Sequence, residues 1–136
     1  MRIKSKSVRT IKQTVIFDAP ASEVYDALMG SKKHSAFTES ECVISNSVGG
    51  SFKAYEGYIK GSNIFLEKNK KIVQNWHCTD FPSRHKSIVT FELEEKNGKT
   101  ILHFTHENVP VANYEDLEDG WKEHYWDKME EYFKKY

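Results

Sequence analysis

The sequence has few of the residues that would tie it to an oxidising compartment, a membrane or a charged polymer. Its 136 residues include two cysteines, Cys42 and Cys78, far apart in sequence, without the close spacing of a redox pair or the four-ligand pattern of a zinc site. Reduced, partly buried thiols follow, in a protein expected to be cytoplasmic. No apolar run approaches the roughly 20 residues a membrane span needs, and no hydrophobic leader segment follows the start. Lys plus Arg and Asp plus Glu stand at 20 each, so no overall field draws the chain to nucleic acid or to an anionic membrane. One local imbalance exists: Arg2, Lys4, Lys6, Arg9 and Lys12 precede the first acid, Asp18. Targeting segments are also basic and acid-poor, but Val8 to Phe17 already reads as a strand, which leaves a frayed basic terminus as the simpler reading.

Catalytic signatures are equally scarce. There is no Gly-x-Ser-x-Gly elbow, neither cysteine has a local catalytic motif, and the scattered glycines form no phosphate cradle. Of six histidines, His103 and His106 are an odd number of residues apart on one strand and so point to opposite faces. His77 and Cys78 alternate in the same way, and His124 has only Asp127 at a helical spacing. The chain is expected to hold no metal and no cofactor, and to be a binding module rather than an enzyme.

Aromatic residues are plentiful: eight Phe, seven Tyr and three Trp supply ample material for one core. Alternation over Thr10 to Phe17 predicts a half-buried strand, with Ile11, Val15 and Phe17 inward. Pro20 suits the start of a short helix over Ala21 to Met29, Gly30 stops it, and Ser31 opens a second turn. From Glu41 to His106 the pattern is strand and turn. Gly61 suggests a bulge or bend in the strand Tyr58 to Leu66. Ile72, Gln74, Trp76 and Cys78 share one face, as do Val89, Phe91 and Leu93. Asn97-Gly98 is a hairpin signal of the kind that needs positive φ at both positions.

Tyr114, Leu117, Trp121, Tyr125, Met129 and Tyr132 or Phe133 then follow spacings of three and four, one stripe of a long amphipathic helix. Glu115, Asp116, Glu118 and Asp119 crowd its start, matching the helix dipole. Gly120 interrupts it and is expected to allow close packing against the sheet. The result is an α+β fold: a curved antiparallel sheet of about six or seven strands around one long C-terminal helix, with one or two short helices after the first strand. The whole of 1–136 is expected to form a single domain.

A ligand would sit where sheet and helix part. Phe37, Phe52, Phe65, Trp76, His106, Trp121 and Tyr125 are the candidate lining residues, with plain core as the alternative for the aromatics. His106 shares the face of Leu102 and Phe104, and a hydrogen-bonded core histidine is its competing role. Surface contacts are expected near Phe37, the Phe81-Pro82 loop and the exposed side of the C-terminal helix.

Several segments, in order, resemble one family. These are Pro20-Ala21-Ser22-Glu23-Val24-Tyr25-Asp26-Ala27-Leu28, His34-Ser35-Ala36-Phe37-Thr38, Gly49-Gly50-Ser51-Phe52 and Ile72-Val73-Gln74-Asn75-Trp76. Asn97-Gly98-Lys99-Thr100, Val109-Pro110 and Gly120-Trp121-Lys122-Glu123-His124-Tyr125-Trp126 complete the series. Together they look like the activator of heat-shock protein 90 ATPase, over nearly the whole chain. The resemblance implies the START-like helix-grip fold of that co-chaperone's C-terminal domain. It also implies a non-enzymatic role, with the heat-shock protein 90 chaperone as partner. Eukaryotic members carry a separate N-terminal domain, which this sequence is expected to lack. The wider superfamily includes carriers of hydrophobic ligands, so the second expectation is a carrier or sensor of a small hydrophobic molecule.

Overall fold

The computed structural model describes residues 8–38 and 42–135, except the side chains at positions 31, 32, 37, 56 and 135. The basic residues Arg2, Lys4 and Lys6, and Tyr136, lie outside the described residues. Among the described residues, seven strands form one antiparallel sheet in the order β1-β7-β6-β5-β4-β3-β2. They are β1 (Val8–Phe17), β2 (Val43–Ile44), β3 (Ser51–Ala54), β4 (Ile59–Glu67), β5 (Lys71–Cys78), β6 (Ser87–Lys96) and β7 (Lys99–Pro110). Helices α1 (Ala21–Met29) and α2 (Ser31–Thr38) leave the sheet after β1, and the C-terminal helix begins as α3 (Tyr114–Trp121).

Alternation places the core. Ile72, Gln74, Trp76 and Cys78 of β5 are buried, as are Val89, Phe91 and Leu93 of β6 and Leu102, Phe104 and His106 of β7. Fully burying side chains of this size is worth roughly 1.5–3 kcal/mol each, so the helix-facing side of the sheet dominates the stability. The β6–β7 hairpin turns at Asn97 (φ 55°) and Gly98 (φ 78°), the positive values that its sequence requires. Glu95 beside that turn accepts the backbone N–H of Ala21 at 2.8 Å, which satisfies a free donor at the start of α1.

Two glycines act differently from the sequence expectation. The irregularity in β4 lies between Asn63 and Phe65, not at Gly61, which pairs in register with Trp76 and Phe52. Gly61 is needed for close approach: a Cβ there would run into the Asn75 carbonyl and come within 2.8 Å of Phe52 Cζ. Gly120 does not permit close packing against the sheet, since a Cβ there would meet only His124 Cδ2, at 3.8 Å.

The C-terminal helix also departs from a uniform period. After α3 comes one π-helical turn, Lys122–Trp126, and then α4 (Asp127–Lys135), with the Asp127 N–H bonded to the Lys122 carbonyl five residues back. The wider turn brings Trp121 and Trp126 to one side of the helix, where their rings stack at 5.6 Å with 18° between planes. Tyr125 and Trp126 are adjacent in sequence and both buried, so Trp126 joins a core stripe from which a period of 3.6 excludes it.

The two glycines should respond to alanine with opposite signs in one urea-denaturation series. Gly61→Ala is expected to cost about 1–3 kcal/mol through overpacking, whereas Gly120→Ala should add up to about 1 kcal/mol of helix propensity. Equal effects at both positions would contradict these assignments.

Candidate functional site

The helix is fastened to the sheet by a buried relay. Trp121 Nε1 donates to His106 Nδ1 at 3.0 Å, so the ring proton of a neutral imidazole sits on Nε2. That nitrogen lies 2.6 Å from Ser87 Oγ, and the Ser87 hydroxyl donates in turn to the Trp76 carbonyl at 3.1 Å. His106 has no exposed surface. Burial alone pushes its pKa down to about 3, which keeps it neutral in the interior. Its ring packs against Trp76 at 4.7 Å and Trp121 at 5.7 Å. Both nitrogens are thus satisfied within the core.

Two further contacts hold the same helix. His34 Nδ1 donates to the Leu28 carbonyl at 3.1 Å, which leaves Nε2 to accept from the Tyr125 hydroxyl at 2.9 Å. Burial lowers the His34 pKa to about 4, against a smaller opposing effect of the Leu28 bond. At the far edge, Gln13 of β1 accepts from Trp126 Nε1 at 2.6 Å and donates to the Glu118 carbonyl at 3.0 Å. With these side chains in place, a void of about 20 Å³ beside Phe52, Trp76, Trp121 and Tyr125 separates sheet from helix. That is room for about one water.

A larger space opens outward. A half-open cleft of about 580 Å³ lies between the start of the C-terminal helix and the β3–β4 corner. Its floor is formed by the buried rings of Trp76, Trp121 and Tyr125. Tyr55, Tyr58 and Ile59 form one side, and Asp116, Asp119 and Glu123 stand on the helix beside Gly120 and His124. The Tyr55 hydroxyl donates to the His124 carbonyl at 3.0 Å, a carbonyl in the π-turn. The Tyr58 hydroxyl donates to Asp80. Burial raises the Tyr55 pKa to about 12, with a smaller contribution from Cys42, and raises that of Tyr58, helped by the Asp80 bond. Both phenols therefore stay protonated donors.

Three of the seven sequence candidates, Trp76, Trp121 and Tyr125, meet in this cleft. Phe52 borders the small internal void, and His106 sits behind Trp76 and Trp121. Phe65 is 46% exposed, under Lys71 Nζ at 6.0 Å from its ring centre. The extra residue after Asn63 reverses the facing of β4 and turns this side chain out. The Phe37 side chain lies outside the described residues. Phe81, expected at a surface contact, is instead buried against Trp76, His77 and His85. Sequence reasoning missed Tyr55, Tyr58 and the acids of the cleft. Asp116, Asp119 and Glu123 had a signal, a stripe at spacings of three and four beside Trp121, but the helix dipole gave the first two a sufficient explanation. Among the described residues, no cluster of three or more His, Cys, Asp or Glu could hold a metal ion.

Residues 18–134 match the family described as Activator of Hsp90 ATPase homolog 1-like protein. The activator of 90 kDa heat shock protein ATPase homolog of Dictyostelium discoideum is 31% identical over 132 residues, covering 96% of this chain and 34% of that protein. Homolog 2 of Mus musculus is 26% identical over 116 residues, covering 85% of this chain and 35% of its own. The chain thus spans about a third of the length of the curated relatives it matches. The crystal structure of an HSP90 activator from Plasmodium falciparum superposes with a TM-score of 0.86 at 25% identity, over 91% of this chain and 95% of that one.

The two neutral buried histidines make stability fall in mild acid. Each pKa is lower folded than unfolded, so above about pH 6.5 neither state is charged and stability is complete; below it the unfolded chain takes up protons that the folded one refuses. Between pH 7 and pH 5 each histidine should remove about 2 kcal/mol, read from urea midpoints at constant ionic strength. A midpoint unchanged over that interval would contradict the neutral relay.

Proposed function

The chain belongs to the Activator of Hsp90 ATPase homolog 1-like family, and from that premise we propose that it is a non-enzymatic, co-chaperone-like binding module for an Hsp90-type chaperone. One observation carries the reading. A solved chain described as an HSP90 activator is matched over 95% of its length, so a domain of this size and fold bears that description. The site agrees with binding rather than turnover. The two buried histidines, His34 and His106, lie in the core and do not line the cleft. A cytoplasmic location accompanies this reading; among the described residues no helix is long and apolar enough to cross a membrane.

A second reading, carriage of a small hydrophobic ligand, is supported by the aromatic floor of the cleft. Such a guest would lodge there, because ligand pockets typically occupy about 300–1,000 Å³ and the void beneath the helix is about 20 Å³.

The test uses the purified chain and the Hsp90 chaperone of its own organism. Titration of the isotope-labelled protein should shift amides clustered on one outer surface, and the chaperone's ATPase rate should rise at saturating concentrations. No shifts together with an unchanged rate would refute the co-chaperone reading.

A further inference from the structure

The neutral composition conceals a cleft charged in one sense only. Asp116, Asp119 and Glu123 line it, and no Lys or Arg does. All three carboxylates are exposed, and among the described residues none of them has an ion pair. The neighbouring donors point to the same ligand charge. The hydroxyls of Tyr55 and Tyr58 are engaged by the His124 carbonyl and by Asp80, and the indole N–H of Trp121 by His106. With those donors occupied, the lining offers the three carboxylates, the exposed His124 imidazole and the partly exposed rings of Tyr55 and Tyr58. Carboxylates attract a cation and repel an anion, and an aromatic face does the same through its quadrupole. Gly120 leaves the wall between Asp116 and Glu123 without a side chain.

We propose that this cleft receives an arginine side chain presented by a protein partner. The inference rests on the protein-binding reading above. Arginine fits better than lysine because its planar guanidinium is weakly hydrated, stacks on aromatic faces and forms paired bonds to carboxylates. A volume of about 580 Å³ is within the range of a small-ligand pocket and leaves room for the arginine together with its flanking backbone. Charge complementarity selects a basic segment as the occupant.

The test titrates the labelled protein with acetyl-Gly-Arg-Gly-amide, with its citrulline counterpart, and with propylguanidinium, a free guanidinium compound of the same single charge. Citrulline keeps the shape of arginine and removes the charge. The arginine peptide is expected to shift the Gly120 amide and the Trp76 indole signal, and to bind about tenfold more tightly than the citrulline peptide. Asp119→Asn with Glu123→Gln, both exposed changes that should preserve the fold, is expected to abolish that preference. Equal binding of the two peptides would overturn the proposal in favour of an apolar guest. Tighter binding of propylguanidinium would overturn the protein source, and no shift with any probe would overturn the site. None of these probes involves the chaperone, so failure here is distinguishable from failure of chaperone binding.

Discussion

Everything around the cleft depends on one donor, the indole N–H of Trp121, reaching one acceptor, Nδ1 of His106. That bond places the imidazole proton on Nε2, which faces Ser87, whose hydroxyl reaches the backbone of Trp76. Four residues on the C-terminal helix, β7, β6 and β5 thereby share one chain of donors and acceptors. Each member would be costly to bury alone, by about 1–3 kcal/mol for an unsatisfied polar group, so the relay is stable only when complete. A charged His106 would break it, and burial against Trp76 and Trp121 prevents that charge.

Fixing Trp121 settles both sides of the helix at once. Inward, its ring lies 4.5 Å from Phe104 and stacks on Trp126. Outward, the same ring is the floor of the cleft. The π-turn links the two roles: it turns both Tyr125 and Trp126 inward and leaves the His124 carbonyl bonded to Tyr55. The roomier space lies outside the helix, in the acid-rimmed cleft of about 580 Å³, against about 20 Å³ in the void beside Phe52 and Trp121.

Much of the architecture was legible in the sequence because its signals are local. Alternation in β5 and β6 and the Asn97-Gly98 turn named the buried face and one hairpin, and the ordered segments carried the family resemblance. What remained hidden depends on insertions and distant partners. The extra residue near Ile64 reverses the facing of Phe65, and a strict period of two cannot register it. The π-turn shifts the helix by part of a turn, so counting by 3.6 misses Trp126. His106 was legible as an inward residue, but its partners lie 15 and 19 positions away, and only the fold could choose between core and site. The cleft was half legible: Trp76, Trp121 and Tyr125 were named, while Tyr55 and Tyr58 came from the β3–β4 corner and the acids, on the same helix as Trp121, were missed.

The relay can be observed directly by nitrogen-15 NMR of the His106 ring at neutral pH, read together with hydrogen exchange at the Trp121 indole. The account predicts a neutral imidazole with its proton on Nε2 and an indole N–H that exchanges only on global unfolding. An imidazolium, a proton on Nδ1, or an indole N–H that exchanges freely would contradict it.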